Sequence, residues 1–291
     1  TYLNGLALQD SNDYDVFKVL VPFWQLNIYY SLAGASRNAP ILSLDNPAGS
    51  AGVDYAHWFG KVAEVARTTS SSGLTNGELL LNFVKNSCDA VEENLIPFFQ
   101  KTGFLKPINI PIDDYGVEQL TVTQAQIDDV ITYVGGKNYQ EPVSPVIHYA
   151  SAHSVNMFKN KLPLSGITGV GAALNGNYLT VQHSDWHNAV AYETYNTNNE
   201  LIYVSISGSG HPDNIQTEVY YPANALAVFA VGYDGHKILV YPASILSVNE
   251  TAIHSEFTIY PNPVGENAPI QLALSDNSGD YTADVIGLDG R

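Results

Sequence analysis

The hydrophobic rhythm of this chain changes partway along, and that change restricts it to a fold in which helices and strands are segregated. From Leu164 onward, short runs rich in Val, Ile and Tyr follow one another: Asn177 to Gln182, Ala189 to Tyr195, Leu201 to Ser207, Glu218 to Tyr221, Ala225 to Gly232 and Lys237 to Tyr241. Turn-forming residues separate them, at Asn196 to Asn199, Gly208 to Asn214 and Tyr233-Asp234-Gly235. Short strands at such regular spacing predict a small antiparallel β-sandwich, with Trp186 as its core aromatic. Ser244 to Ser255 reads as a linker, and a further β segment starts at Phe257.

The first part of the chain carries the helical period instead. Phe17 to Tyr30 is apolar nearly all round, the mark of a buried helix rather than a surface one. Asp13 is a plausible N-cap, Gly34 a natural stop, and Pro22 inside the run predicts a kink or a break. Asp54 can cap a second helix that runs to about Arg67, with Trp58, Val62 and Val65 on one face. Thr75-Asn76-Gly77-Glu78 fits a capping box, followed by an amphipathic pattern of Leu79, Leu80, Phe83, Val84 and Cys88. A further helical stretch holds Val91, Leu95, Phe98 and Phe99 and ends at Gly103. Pro107 to Ile112 and Leu120 to Val122 read as strands around a turn at Asp113 to Gly116. Thr123 to Gln126 is a second capping box opening a helix that stops at Gly135-Gly136, and Pro142 to Tyr149 reads as extended. The fold class is therefore α+β: a mainly helical subdomain over residues 1–160, a β-sandwich over 161–247, and a linker with a β tail over 248–291.

Composition narrows the partners. Twelve Lys and Arg stand against 29 Asp and Glu, for a net charge of −17. Such a chain has no basic face for nucleic acid and no attraction to anionic membrane surfaces. The apolar run at Phe17 is too short to span a membrane. Cys88 is the single cysteine, so neither an internal disulfide nor a cysteine-based zinc site can form. Its place on an apolar face reads as a small buried hydrophobe rather than a reactive thiol.

The chain contains no His-Glu-x-x-His, no Gly-x-Ser-x-Gly and no phosphate-binding glycine loop. The nearest metal pair is His183 and His187, in His-Ser-Asp-Trp-His at a turn between strands, where a spacing of four imposes no shared face. These two are weak metal candidates. The substrate-facing candidates are Asp114, Tyr115 and His57. The plainer alternative is that Asp113 and Asp114 cap their own turn and that His57 is a satisfied core or surface histidine.

Three stretches, taken in order, carry a resemblance. They are Leu20-Val21-Pro22-Phe23-Trp24-Gln25-Leu26 with Tyr29-Tyr30, then Asn82-Phe83-Val84 through Cys88-Asp89-Ala90 to Leu95, Phe98-Phe99 and Gly103-Phe104, then Ile112-Asp113-Asp114-Tyr115-Gly116 with Thr121 to Gln124, Ile127-Asp128 and Tyr139. From about Asp13 to Tyr149 the order resembles the C-terminal half of the enhancin-like zinc metallopeptidases, mucin-directed gluzincins of gut and oral bacteria. In that family the His-Glu-x-x-His helix and the glutamate that is the third ligand lie upstream of these stretches. The resemblance therefore implies a fold and a glycoprotein or peptide substrate, but no catalytic residue in this chain. It implies zinc in the intact protein and none here.

Trp186-His187-Asn188-Ala189-Val190-Ala191-Tyr192-Glu193 resembles a strand of the small sandwich that follows such peptidase domains. Phe257-Thr258-Ile259-Tyr260-Pro261-Asn262-Pro263 resembles the opening of the C-terminal sorting domain of the type IX secretion system of Bacteroidetes, and Gly287 to Arg291 a later strand of it. That resemblance implies a secreted or cell-surface protein exported through the outer membrane. Thr1 opens without an initiator Met or a signal peptide, and Arg291 falls inside the sorting pattern. The expectation is a proteolytic fragment of a longer secreted precursor, with the apolar faces of Phe17 to Tyr30 incompletely covered and the N-terminal half as a missing partner. The alternative from another class is a non-catalytic secreted module that grips glycan or protein through exposed Tyr and Trp.

Overall fold

The computed structural model describes residues 16–37, 58–113, 117–243, 257–260 and 271–274. Residues Thr1–Ser244 form one compact unit and Ile245–Arg291 a second. The described helices of the first unit are α1 (Val16–Asn27), α2 (Trp58–Thr68), α3 (Asn76–Val91), α4 (Ile96–Lys101), α5 (Gln124–Gly135) and α6 (Val155–Asn160). A hairpin of β1 (Ile108–Asp113) and β2 (Val117–Val122) lies between α4 and α5. Seven strands follow: β3 (Ala172–Asn175), β4 (Tyr178–Gln182), β5 (Ala191–Asn196), β6 (Leu201–Ile206), β7 (Gln216–Tyr220), β8 (Ala225–Val231) and β9 (Lys237–Tyr241). In the second unit β10 (Phe257–Tyr260) pairs antiparallel with β11 (Gln271–Leu274). None of the described helices is long and apolar enough to cross a membrane.

The strands of the first unit build two antiparallel sheets, ordered β3-β4-β7 and β6-β5-β8-β9. Between them lies a core of Leu179, Val181, Trp186, Tyr192, Val219, Val228 and Val240. Strand side chains alternate in direction, so the opposite face of β5 and β8 carries Ala191 and Val231. Those two, with Val190, join the core of the helical layer around Leu26, Tyr29, Trp58, Val84 and Phe99. The four-stranded sheet is thus a middle layer, covered on one side by the three-stranded sheet and on the other by helices. No spacer separates the helical stretch from the sandwich, because they share this core.

Local signals explain where α3 and α5 begin. The side chains of Thr75 and Thr123 each accept a hydrogen bond from the backbone N–H of the third residue on, and the side-chain oxygens of Glu78 and Gln126 accept one from the backbone N–H of the cap, closing both capping boxes. The stripe buried by α3 is Leu81, Val84, Cys88 and Val91, whereas Leu79 is exposed, so the helix is rotated relative to the expected face. The expected extended segment at Pro142 to Tyr149 ends instead in a short helical turn at Ile147–Tyr149. The strand β3 and helix α6 were not foreseen, since both are short and only weakly periodic.

The first helix departs from the reading of a wholly buried helix and agrees with the expectation that its apolar faces are incompletely covered. Pro22 lies inside α1 without ending it, and the chain passes directly into a π-helical turn at Ile28–Leu32. The helix is also not enclosed. Leu26, Tyr29 and Tyr30 are fully buried, but Trp24 is 55% exposed and Leu20 and Val21 are exposed as well. Phe23 lies beside this face, with ring centroids 5.1 Å from Trp58 and 4.9 Å from Phe59, and Phe59 is itself 52% exposed. The candidate cap Asp13 and the cap proposed for α2, Asp54, lie outside the described residues.

The first turn of α3 rests on β2. A Cβ built on Gly77 would lie 1.8 Å from the Thr121 carbonyl oxygen, a backbone atom that cannot swing away. Helix propensity alone would make Gly77→Ala stabilising by about 1 kcal/mol. The contact reverses the sign, because separating helix and hairpin costs about 2 to 3 kcal/mol. A lower urea midpoint with an unchanged m-value is the expected result, and a raised midpoint would show that α3 can lift off β2 freely.

Candidate functional site

A cluster of polar and charged side chains lies where the helical layer meets the middle sheet. On β5, Ala191, Glu193 and Tyr195 share the helix-facing side by the two-residue period. Ala191 packs, but Glu193 places a carboxylate there. Tyr149, from the helical turn after Val146, donates its hydroxyl to Glu193 Oε1 at 2.6 Å. Tyr195 donates to Oε2 at 2.6 Å, and Lys237 at the start of β9 brings Nζ to the same oxygen at 2.6 Å. Lys237 Nζ also donates to the Tyr195 hydroxyl at 2.9 Å. The Glu193 side chain is only 5% exposed against 41% for Lys237, so the pair runs from interior to surface.

Charge follows from this arrangement. Burial pushes the Glu193 carboxyl upward, but Lys237, Tyr149 and Tyr195 together outweigh it and hold the group below its ordinary range. Burial likewise works against the Lys237 charge, and Glu193 and Tyr195 overcome it, so the ammonium stays protonated. Burial followed by the neighbouring Glu193 charge raises the Tyr149 and Tyr195 hydroxyls, which keeps both as donors.

This network floors a cleft of about 400 Å³. Its other walls include Lys101 from the last turn of α4, Pro145, His148 and Leu201. A smaller hollow of about 190 Å³ adjoins it, shared through Lys101, Pro145 and His148 and reaching Asn94 and Glu141. The His148 ring lies 4.1 Å from that of Tyr149. Burial, then the charges of Lys101 and Lys237, push its pKa down to about 3, so this imidazole is neutral at any ordinary pH. Partial desolvation and the nearby Lys237 charge lower the Lys101 pKa, with Glu193 opposing them.

The arrangement suits binding rather than bond cleavage. Glu193 is committed to three short contacts, which leaves it poorly placed to take a proton from a substrate.

A second buried carboxylate, Glu93, organises another part of the helical layer. It accepts from the Tyr30 hydroxyl at 2.9 Å, from Ser36 Oγ at 3.2 Å and from the Arg37 amide. Burial raises its pKa in spite of these donors. Glu93 holds the segment after the π-helical turn against the C-terminus of α3.

The residues singled out from sequence fare differently. His57, Asp114 and Tyr115 lie outside the described residues. His183 has both ring nitrogens occupied, Nδ1 2.8 Å from the Asn214 carbonyl and Nε2 2.7 Å from Thr217 Oγ1. His187 pairs through its backbone with Ser165. The turn between the two histidines delivers Trp186 to the sandwich core, where it is fully buried. Cys88 is buried as well, and burial pushes its thiol up to about 12. Among the described residues no three His, Cys, Asp or Glu side chains converge as a metal site. Sequence reading missed Glu193, Tyr149, Tyr195, Lys237, Lys101 and His148. The available signal was Glu193 itself, a charge following Ala189-Val190-Ala191-Tyr192 in a run otherwise reading as core.

No protein-family model matches the sequence, and no curated protein matches it. Solved structures do. A metallopeptidase from Bacteroides thetaiotaomicron superposes with a TM-score of 0.51 at 22% identity, covering 78% of this chain and 37% of the other. A metallopeptidase in complex with Tn antigen gives 0.49 at 22%, covering 75% and 39%. The ZmpB metallopeptidase from Clostridium perfringens gives 0.43 at 15%, covering 80% and 36%. This chain therefore spans well under half the length of the metallopeptidases it matches. What the first of them shows is a shared fold: helices and antiparallel sheets arranged as in part of a metallopeptidase.

Proposed function

We propose that this chain is the C-terminal portion of a secreted zinc metallopeptidase of the enhancin-like type, acting on glycoproteins such as mucins. The observation that carries the reading is the shared fold with the Bacteroides thetaiotaomicron metallopeptidase over 78% of this chain. The three ordered sequence stretches described above point the same way. The zinc would be held by polypeptide upstream of these residues, as the resemblance to the enhancin-like family implies. Bound there, it would supply the polarised water of peptide hydrolysis. The part of this chain would be to complete the substrate cleft. The open face of Leu20, Val21, Trp24 and Phe59 is where the catalytic polypeptide would pack, since contiguous exposed apolar surface commonly marks an interface. The tail from Phe257 would serve as the sorting signal for export through the outer membrane.

One experiment tests this reading. The chain is joined to the upstream sequence of its precursor and incubated with mucin, beside the chain alone. Cleavage is expected only with the upstream sequence, and Trp24→Asp in the joined protein should lower it more than tenfold. Cleavage by the chain alone, or a precursor without a zinc motif, would remove the peptidase reading.

A second reading has its own observation. Tyr178, Tyr220 and Tyr203 from β4, β7 and β6 form a continuous row, with ring centroids 5.6 and 4.9 Å apart, and Tyr178 and Tyr203 are exposed. Such a row suits stacking on sugar rings, and the chain would then be a glycan-binding module. Retention on immobilised mucin glycans, abolished by Tyr178→Ala with Tyr203→Ala, would favour it.

A further inference from the structure

We propose that the cleft between the helical layer and the middle sheet binds a small monocarboxylate ligand, with the Lys101 ammonium as the anchor for its carboxylate. This goes beyond the peptidase reading and does not depend on it.

Most charges around the cleft are already paired. Glu193 is satisfied by Lys237, Tyr149 and Tyr195, so it asks for no cation. Lys237 is satisfied by the same carboxylate. Lys101 lines the same cleft, where the Glu193 and Glu141 carboxylates act on its ammonium without a direct ion pair among the described residues. One ammonium without a direct ion pair among the described residues therefore faces a cavity of about 400 Å³, within the range of pockets that hold small molecules. The charged groups around the cleft are Lys101, Lys237 and Glu193, with Glu141 in the adjoining hollow, and because Lys237 is held by Glu193 the place left for an anion is at Lys101.

The same groups set the charge and size of the ligand. A monoanion matches the Lys101 ammonium. A phosphate dianion would bring a second negative charge towards Glu193 and Glu141, both of which act on Lys101. His148 is neutral, so its ring supplies a hydrogen-bonding edge and no second anchor. The remaining lining, Pro145, Leu201 and the Tyr195 ring, offers apolar surface to the body of the ligand. Gly235 is part of this wall. Its φ of +81° is one that glycine adopts freely, and a Cβ there would lie 2.9 Å from Pro145 Cγ, so any side chain would crowd that wall. A carboxylate on a body of monosaccharide size fits, and it can come from an acidic sugar or from the C-terminus of a peptide.

Titration calorimetry on the full chain tests this with four probes: glucuronate, N-acetylglycine, glucose and inorganic phosphate. At least one carboxylate is expected to bind, with glucose silent and phosphate at least about tenfold weaker. If glucuronate is the tighter of the two, the source is an acidic sugar, and if N-acetylglycine is tighter, it is a peptide terminus. Lys101→Gln should weaken the carboxylate about tenfold, the size of losing one charge-assisted hydrogen bond, while Lys101→Arg retains most of it. Lys101 is exposed, so both variants should match the parent in unfolding midpoint. Silence of both carboxylates would overturn the proposal. So would equal binding of phosphate, or unchanged binding by Lys101→Gln.

Discussion

Glu193→Ala is expected to destabilise the first unit by about 3 kcal/mol, which lowers the thermal midpoint by roughly 6 to 12 °C. The substitution takes the counter-charge from Lys237 and the acceptor from two tyrosine hydroxyls, one of them in the helical layer. The figure sits at the low end for a broken buried pair because Lys237 is 41% exposed and can turn towards water. Glu193→Leu with Lys237→Met should recover part of the loss, since the stranded charge accounts for much of it. If the single and double variants are equally unstable, the ion pair is not what joins the layers. The pH dependence has a definite sign. The folded state holds the Glu193 carboxyl below its ordinary pKa. Its contribution is complete above the unfolded value of about 4.3 and is lost as pH falls through the folded value. The gap between parent and Glu193→Gln should therefore be full at pH 7 and close in the acid limb below pH 4. Glu93 acts in the opposite direction. Burial raises its pKa, so the folded state takes up a proton before the unfolded chain does, and stability rises as pH falls through that folded value. A gap that widens in acid would contradict the assignment for Glu193.

Trp186→Ala should cost about 3 to 5 kcal/mol, the range for removing a fully buried large aromatic. The side chain is completely buried, and its indole nitrogen donates to the Val170 carbonyl at 2.8 Å. Gly166 packs against the ring so closely that a Cβ there would come within 2.3 Å of it. The site is therefore poorly able to collapse, because the nearest residue has no side chain to swing in. Trp186→Phe should lose less, roughly 1 to 2 kcal/mol, from lost ring area and the stranded carbonyl. Equilibrium denaturation measures both, and a loss under about 1 kcal/mol for the alanine variant would mean that the sandwich core repacks. Gly166→Ala should approach the damage of Trp186→Ala from the opposite side, by overfilling the same space.

What the sequence by itself determined was local. The capping boxes at Thr75 and Thr123 formed as written, because their partners stand three residues away and need no tertiary help. The strand runs from Tyr178 to Tyr241 appeared within a few residues of their expected bounds, since alternation and turn residues act over short distances. Trp186 entered the sandwich core as its apolar bulk required. Tertiary structure decided everything that depended on which surfaces meet. Whether α1 was enclosed could not be read from its composition, since an apolar helix is buried only where a partner covers it, and Trp24 has little cover here. The partners of the His183 ring, Asn214 and Thr217, stand more than 30 residues away and could not be read from the sequence. The Glu193 cluster was invisible for the same reason. Tyr149 and Lys237 each stand 44 residues from it along the chain, on either side. Only the sharing of β5 between two cores brings them together, and a lone carboxylate in a strand does not announce which distant donors will satisfy it.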